Sequence, residues 1–290
     1  MVTIEFFQKA AISPGKRKFI IFYCLILLAI PIGLKAQLPV APNGKFLEVK
    51  GVKLYFEETG SGKPLLLLHG FGRTADEWKP FVSEYAKMFR VIAIDLPGHG
   101  RSDLMDSSDN YLHKKAAEYI ISFCTALKLD SIQILGFSSG AIISLHIAIM
   151  KPDLLNKMIL VAGQQYFSDS TRSFIRALGS PENFIMDPEE LKLLHGPEKG
   201  KSVAEQFWNF QTLTGDPSFA PEDLKTIKVH TFIIHGDNDP IALVENAFQF
   251  FRHIPGAHLW ILPNAEHIGF FFPPYSNEFL DKTLIFLNKN

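Results

Sequence analysis

Gly136-Phe137-Ser138-Ser139-Gly140 lies between two apolar segments of different length. Before it, Ile132–Leu135 is a short apolar stretch, interrupted only by Gln133, and reads as a buried strand. After it, Ala141–Met150 is long enough to read as a helix. Strand, sharp turn carrying a serine, then helix is the setting in which G-x-S-x-G becomes a nucleophile elbow. The glycines permit a tight turn, so the Ser138 hydroxyl is expected to stand above the strand end. The same turn puts the amide of Ser139 at a helix N-terminus, where backbone donors and the helix dipole favour negative charge. Small residues often gather at strand-to-helix turns, so the rest of the chain must supply the context.

Outward from that turn, strand and helix signals alternate. Phe46–Val49 and Val52–Phe56 flank Lys50-Gly51, a hairpin signal. Leu65–Leu68 is a continuous apolar run of the kind buried on both faces in parallel sheets. Glu77–Met88 reads as a helix and Val91–Ile94 as a strand, followed by the Pro/Gly-rich loop Asp95–Asp103 and a helix at Tyr111–Leu127. Beyond the elbow, strands are expected at Lys157–Val161, Val229–Ile234 and His258–Leu262, with helices at Ile241–Phe251 and Ser276–Leu287. The rhythm breaks from 163 to 226, where Pro181, Pro188, Pro197 and Pro217 punctuate short helical pieces with no convincing strand. This stretch reads as an inserted helical cap. The fold class expected is α/β: a mostly parallel sheet with helices on both faces and a cap at about 163–226. Ligands in such sheets bind beyond the carboxyl ends of the strands.

Four expected strand ends carry groups that acyl transfer needs. A serine hydroxyl is a poor nucleophile at neutral pH, so Ser138 requires a base within reach and the base requires an orienting acid. Of ten histidines, His267 is the best placed, in the loop Pro263-Asn264-Ala265-Glu266-His267 after a strand. His258 falls inside that strand and His253 near a helix end, which are structural positions. The acid is sought in His235-Gly236-Asp237-Asn238-Asp239-Pro240. Asp239 is the choice, because Asp237 sits closer to the turn, where aspartate commonly bonds its own backbone. The position after Val161 holds Ala162-Gly163-Gln164-Gln165 and no carboxylate. For the developing oxyanion, His69-Gly70-Phe71-Gly72 follows the Leu65–Leu68 strand, and the amides of Phe71 and Ser139 are the expected donors.

Taken together, HGFG at 69–72, DLPGHGRSD at 95–103, GFSSG at 136–140, HGDNDP at 235–240 and AEH at 265–267 resemble the α/β-hydrolase superfamily over about residues 45–290. The chain order Ser, Asp, His is the order that superfamily uses. The resemblance implies a serine hydrolase acting on an ester or related small acyl compound through Ser138, His267 and Asp239. It also implies that Asp95 and Arg101 tie loops together, leaving His99 without a catalytic part. Haloalkane dehalogenases and epoxide hydrolases of this fold carry an aspartate nucleophile, and serine at 138 argues against both. Ala141 departs from the pattern, since many members have a second glycine there. Two rivals share these residues: a carbon–carbon bond hydrolase of ring-cleavage products, and a hydrolase-like receptor that binds without turnover. No residues have metal-ligand spacing and no phosphate-cradling loop occurs, so neither metal nor cofactor is expected.

Composition agrees with a globular domain. Apolar residues make up 47% of the 290, enough for a sizeable core, and a formal net charge of -1 gives no electrostatic reason to expect nucleic acid as a partner. The partner expected is a small acyl substrate, with the oligomeric state open. Lys16-Arg17-Lys18, the apolar run Phe19–Leu34 and a small residue at Ala36 have the layout of a secretory signal over residues 1–36. The expectation is export to a periplasmic or extracellular space, with a retained membrane anchor as the alternative. Cys124 would be the one cysteine left after cleavage, on an apolar helical face with Tyr119, Ile120, Phe123 and Leu127, where it reads as core filling. The cap aromatics Phe167, Phe174, Phe184, Phe207, Trp208 and Phe210 are candidates either for walling an acyl pocket or for packing the cap down.

Overall fold

Eight strands form one sheet in the order β1-β2-β4-β3-β5-β6-β7-β8. These are β1 (Gly44–Val49), β2 (Val52–Thr59), β3 (Pro64–Leu68), β4 (Arg90–Ile94), β5 (Ile132–Phe137), β6 (Leu155–Val161), β7 (His230–Gly236) and β8 (His258–Leu262). The computed structural model describes residues 41–105, 111–178 and 187–289. The expected export signal at 1–36, with Cys24, lies outside them, as does Phe184 of the cap. Among the described residues no helix is long and apolar enough to cross a membrane.

The β1–β2 hairpin pairs antiparallel with itself and, through β2, with β4; every other pairing is parallel. The apolar runs explain the parallel part. Successive side chains of a strand face opposite ways, so Leu65 and Leu67 join one core with Val91, Leu135 and Ile159, while Leu66 and Leu68 join the other with Ile92, Ile134 and Met158. Helices α1 (Lys79–Tyr85) and α9 (Tyr275–Asn288) cover the first core through Phe81, Tyr85, Phe279 and Leu287. On the opposite face lie α2 (His113–Ala126), α3 (Ser139–Met150) and α8 (Glu245–His253). Cys124 is fully buried there, and burial pushes its thiol up to about 12, as core filling requires. Sheet and helices therefore have the α/β architecture expected.

Among the described residues between β6 and β7 lie four helices: α4 (Asp169–Ala177), α5 (Pro188–His195), α6 (Pro197–Asn209) and α7 (Pro221–Lys225). The one strand-like feature among the described residues of this insertion is an isolated bridge between Tyr166 and Ser218.

The helix expected from Tyr111 starts at His113, and two others begin later than expected, each for a local reason. The helix expected from Glu77 opens instead as a 3-10 turn, Ala75–Trp78, capped by the Thr74 hydroxyl, and the α-helix starts only at Lys79. Pro80, without an N–H, cannot continue a preceding helical turn. The helix expected from Ile241 starts at Glu245, because the amides of Ile241 and Ala242 donate to the Asp239 carboxylate at 2.9 and 2.8 Å.

Candidate active site

The chain leaves β3 toward β4 on one side, then crosses back to β5 on the other side of β3. This reversal opens a crevice beyond the carboxyl ends of β3 and β5, the usual ligand position in such sheets. Ser138 lies just past β5 and Phe71 just past β3, on the two sides of it.

Ser138 has φ 52° and ψ −113°, a backbone state outside the ordinary regions for a non-glycine residue. Such strain costs about 1–3 kcal/mol and persists only where the surroundings enforce it. The surroundings here are tight. A Cβ on Gly136 would lie 2.3 Å from the Gly140 carbonyl oxygen, and one on Gly140 would lie 2.3 Å from that of Leu68. Both glycines are thus required for helix α3 to turn off β5 this closely. Ser139 is the first residue of α3, so its amide has no intrahelical acceptor.

His267 and Asp239 arrive from β8 and β7. His267 Nε2 is 3.0 Å from Ser138 Oγ, and Nδ1 is 2.6 Å from Asp239 Oδ2. The second carboxylate oxygen of Asp239 takes the Ile241 and Ala242 amides, which leaves Oδ2 for the imidazole. Asp237 instead accepts the amide of Ala265 at 3.2 Å and holds the loop carrying His267. The imidazole packs against the Phe137 ring at 5.0 Å between centroids. Ser138, His267 and Asp239 are therefore brought into one hydrogen-bonded line, although 129 residues separate the first two. His253 and His258, at the end of α8 and the start of β8, take no part in that line.

The loop expected to supply the second oxyanion donor is anchored on both sides. A Cβ on Gly70 would sit 2.9 Å from the Phe137 ring and 3.6 Å from Ser138 Cβ, so this backbone passes directly over the serine. Its amide donates to Glu77 Oε2 at 2.9 Å. Burial pushes the Glu77 carboxyl up, against the pull of Arg73 and of that amide. His69 Nε2 accepts the Leu96 amide at 2.8 Å, which leaves Nδ1 to donate to the Gly70 carbonyl at 2.7 Å. Burial pushes His69 down to about 4, so it is neutral at neutral pH and serves as a fixed strut. Asp95 and Arg101 form a buried bidentate pair at 2.7 and 3.0 Å, and Asp95 also accepts the amides of Ala75 and Arg101. They tie the two strand-end loops together. His99 is fully buried among the rings of His69, Phe71, Tyr111 and His195.

Several residues that no motif signals complete the site. From the cap, His195 accepts the Gly100 amide at 2.7 Å and reaches the Gly72 carbonyl at 3.1 Å, and Glu190 pairs with Arg73 at 2.8 Å. Phe207 and Phe210 place their rings 6.0 and 4.8 Å from Phe71. Behind Ser139, His113 and His146 converge on Asp216 of the cap. Burial alone would raise the Asp216 carboxyl, but the hydrogen bonds from both histidines hold it well below its ordinary value. The available sequence signal is faint: His146 is the single imidazole in a mainly apolar helix.

Known proteins carry the same framework. Residues 63–187 match the sequence family described as alpha/beta hydrolase fold. A 2-hydroxy-6-oxo-6-(2'-aminophenyl)hexa-2,4-dienoic acid hydrolase of Metapseudomonas resinovorans is 23% identical, over 84% of this chain and 91% of that protein. A pimeloyl-[acyl-carrier protein] methyl ester esterase of Nitrosospira multiformis is 26% identical, over 77% and 94% respectively. Among solved structures, a meta-cleavage product hydrolase of Pseudomonas fluorescens IP01 superposes with TM-score 0.69 at 21% identity, covering 84% of this chain and 97% of that one.

Proposed function

We propose, from the premise that this chain belongs to the α/β-hydrolase superfamily, that it is a serine hydrolase cleaving an ester or related small acyl compound. The observation that carries this is the line Ser138 Oγ–His267 Nε2–Asp239, with 3.0 and 2.6 Å steps at the topological switch of the sheet. In the proposed reaction His267 takes the hydroxyl proton as Ser138 attacks the carbonyl carbon. Asp239 orients the imidazole and stabilises its charge. The amides of Phe71 and Ser139 bind the oxyanion, His267 returns the proton to the leaving group, and water activated by the same imidazole then releases the acid. The likeness to a methyl ester esterase supports ester cleavage.

A second reading, hydrolysis of a carbon–carbon bond in a ring-cleavage product, draws on the likeness to the hexadienoic acid hydrolase. It uses the same triad. The deciding experiment pairs a fluorophosphonate probe with two substrate panels, chromogenic esters of increasing chain length and vinylogous 1,5-diketones. We expect Ser138 to be labelled and esters to be turned over. Turnover of diketones alone would select the second reading. A wild-type protein that neither labels nor turns over either panel would leave a binding role in place of catalysis. Export is also proposed, on the basic flank and apolar segment ahead of Ala36; a mature N-terminus at Gln37 in protein recovered from outside the cytoplasm would support it, and an intact Met1 would not.

A further inference from the structure

One residue along from the proposed nucleophile stands another serine facing an imidazole. Ser139 Oγ is 3.0 Å from His113 Nε2. The other ring nitrogen lies 3.5 Å from Asp216 Oδ2, and that carboxylate oxygen also accepts the backbone N–H of His113. Asp216 Oδ1 is 2.9 Å from His146 Nε2. Ser139 is 4% exposed, His113 0% and Asp216 6%, so no substrate reaches this set. Its members come from three parts of the molecule. His113 opens α2, Ser139 and His146 ride on α3, and Asp216 sits in the cap between α6 and α7.

What the set touches is the first residue of α3. Serine in the first turn of a helix has competing partners for its hydroxyl, because nearby backbone groups are within its reach. At Ser139 that competition would fall on the amide expected to receive the oxyanion and on the neighbouring hydroxyl of Ser138. Holding Oγ on His113 removes both options. A stacked ring supports the imidazole from the cap side, with Phe210 at 5.4 Å between centroids.

We propose that Asp216 and His113 form a positioning unit that anchors Ser139 and thereby aims its amide at the oxyanion, so that seating the end of the cap and completing the oxyanion site are one event. The proposal rests on the serine-hydrolase reading above. His113 and Asp216 are positioning residues in it; neither touches substrate.

The test is a double-mutant cycle on the full chain with a chromogenic ester, using Ser139→Ala, His113→Leu and the double variant, with His113→Gln as the conservative control. Ser139→Ala keeps helix propensity, so it reports even if His113→Leu fails to fold. Each single variant should lower kcat about tenfold with KM within about twofold, since a misaimed donor loses less than a deleted one. The double variant should be no slower than the slower single, because both remove one interaction. His113→Gln, whose side-chain amide can donate to or accept from the Ser139 hydroxyl, should recover kcat to within about threefold of wild type. Wild-type turnover with an unchanged kcat in Ser139→Ala, or fully additive losses in the double variant, would overturn the proposal while leaving the hydrolase reading intact. A wild-type protein without turnover would remove both.

Discussion

Adjacent residues of this chain enter two constellations of the same composition with opposite fates. Ser138 and Ser139 each stand 3.0 Å from an imidazole, and each imidazole faces an aspartate. The differences lie in the backbone and the surroundings. Ser138 is forced to φ 52° at the crevice, whereas Ser139 has already entered the helix and is buried. His267 is partly exposed and 2.6 Å from its carboxylate; His113 is sealed, at 3.5 Å. One aspartate spends its second oxygen on two amides of its own loop, the other on a histidine of a neighbouring helix. Serine, histidine and aspartate in proximity do not make a catalyst. On the proposed hydrolase reading, placement at a strand end beside the crevice decides between chemistry and scaffolding.

The sharpest way to break that contrast is to remove each hydroxyl in turn. Ser138→Ala should lower kcat/KM on a chromogenic ester by about 10⁴-fold or more, leaving only what binding and the oxyanion donors supply. Ser139→Ala should cost about tenfold, as a misaimed donor would. Equal losses would mean that the buried set is catalytic after all. The acids come next. In Asp239→Asn the remaining oxygen still accepts the amides of Ile241 and Ala242, so the new amide NH₂ faces His267 Nδ1 and turns it into an acceptor. Nε2 then carries the proton and cannot take one from Ser138, a loss of about 10³–10⁴ in kcat with stability nearly unchanged. Asp216→Asn should do the reverse, costing about 1–3 kcal/mol of stability through imperfectly satisfied buried donors, with a far smaller change in kcat. Its pH dependence has a definite sign. The Asp216 carboxyl is held below its ordinary 3.8, so its contribution is complete above that pH and fades as pH falls through the lowered folded value. Denaturation midpoints should therefore separate wild type from Asp216→Asn above about pH 4 and draw together as pH falls below it.

Legibility in the sequence followed the same division. Leu65–Leu68, Ile132–Leu135 and the residues at their ends could be read because a strand buried on both faces leaves a wholly or mainly apolar run, and the turn after it leaves glycines. Asp239 and His267 could be placed because each follows such a run by a few residues. His113 could not be assigned to Asp216, since the contact spans 103 residues and depends on where the cap descends. Glu77 was hidden differently. It reads as the first residue of a helix, and only the 3-10 turn at Ala75–Trp78 shows it turned onto the Gly70 amide. Local pattern reports strands and their ends; contacts made by an insertion are set by tertiary packing alone.

The gentlest probe of the two sets is the helix they share. Ala141 occupies the position where a second glycine is common in the superfamily, and it is completely buried, with its methyl 3.2 Å from where a Cβ on Gly163 would lie. Ala141→Gly removes that methyl from a packed site, worth about 1 kcal/mol, and adds up to about 1 kcal/mol of backbone entropy. The amide of residue 141 still reaches the Ser138 carbonyl, at 2.9 Å in the native chain, so the elbow keeps its tie. We therefore expect denaturant unfolding to show a loss of about 1–2 kcal/mol, with kcat within about twofold of wild type. A change in kcat of fivefold or more at unchanged stability would show that the methyl helps set where the Ser139 amide points, and would extend the positioning role from the buried histidine to the helix turn itself.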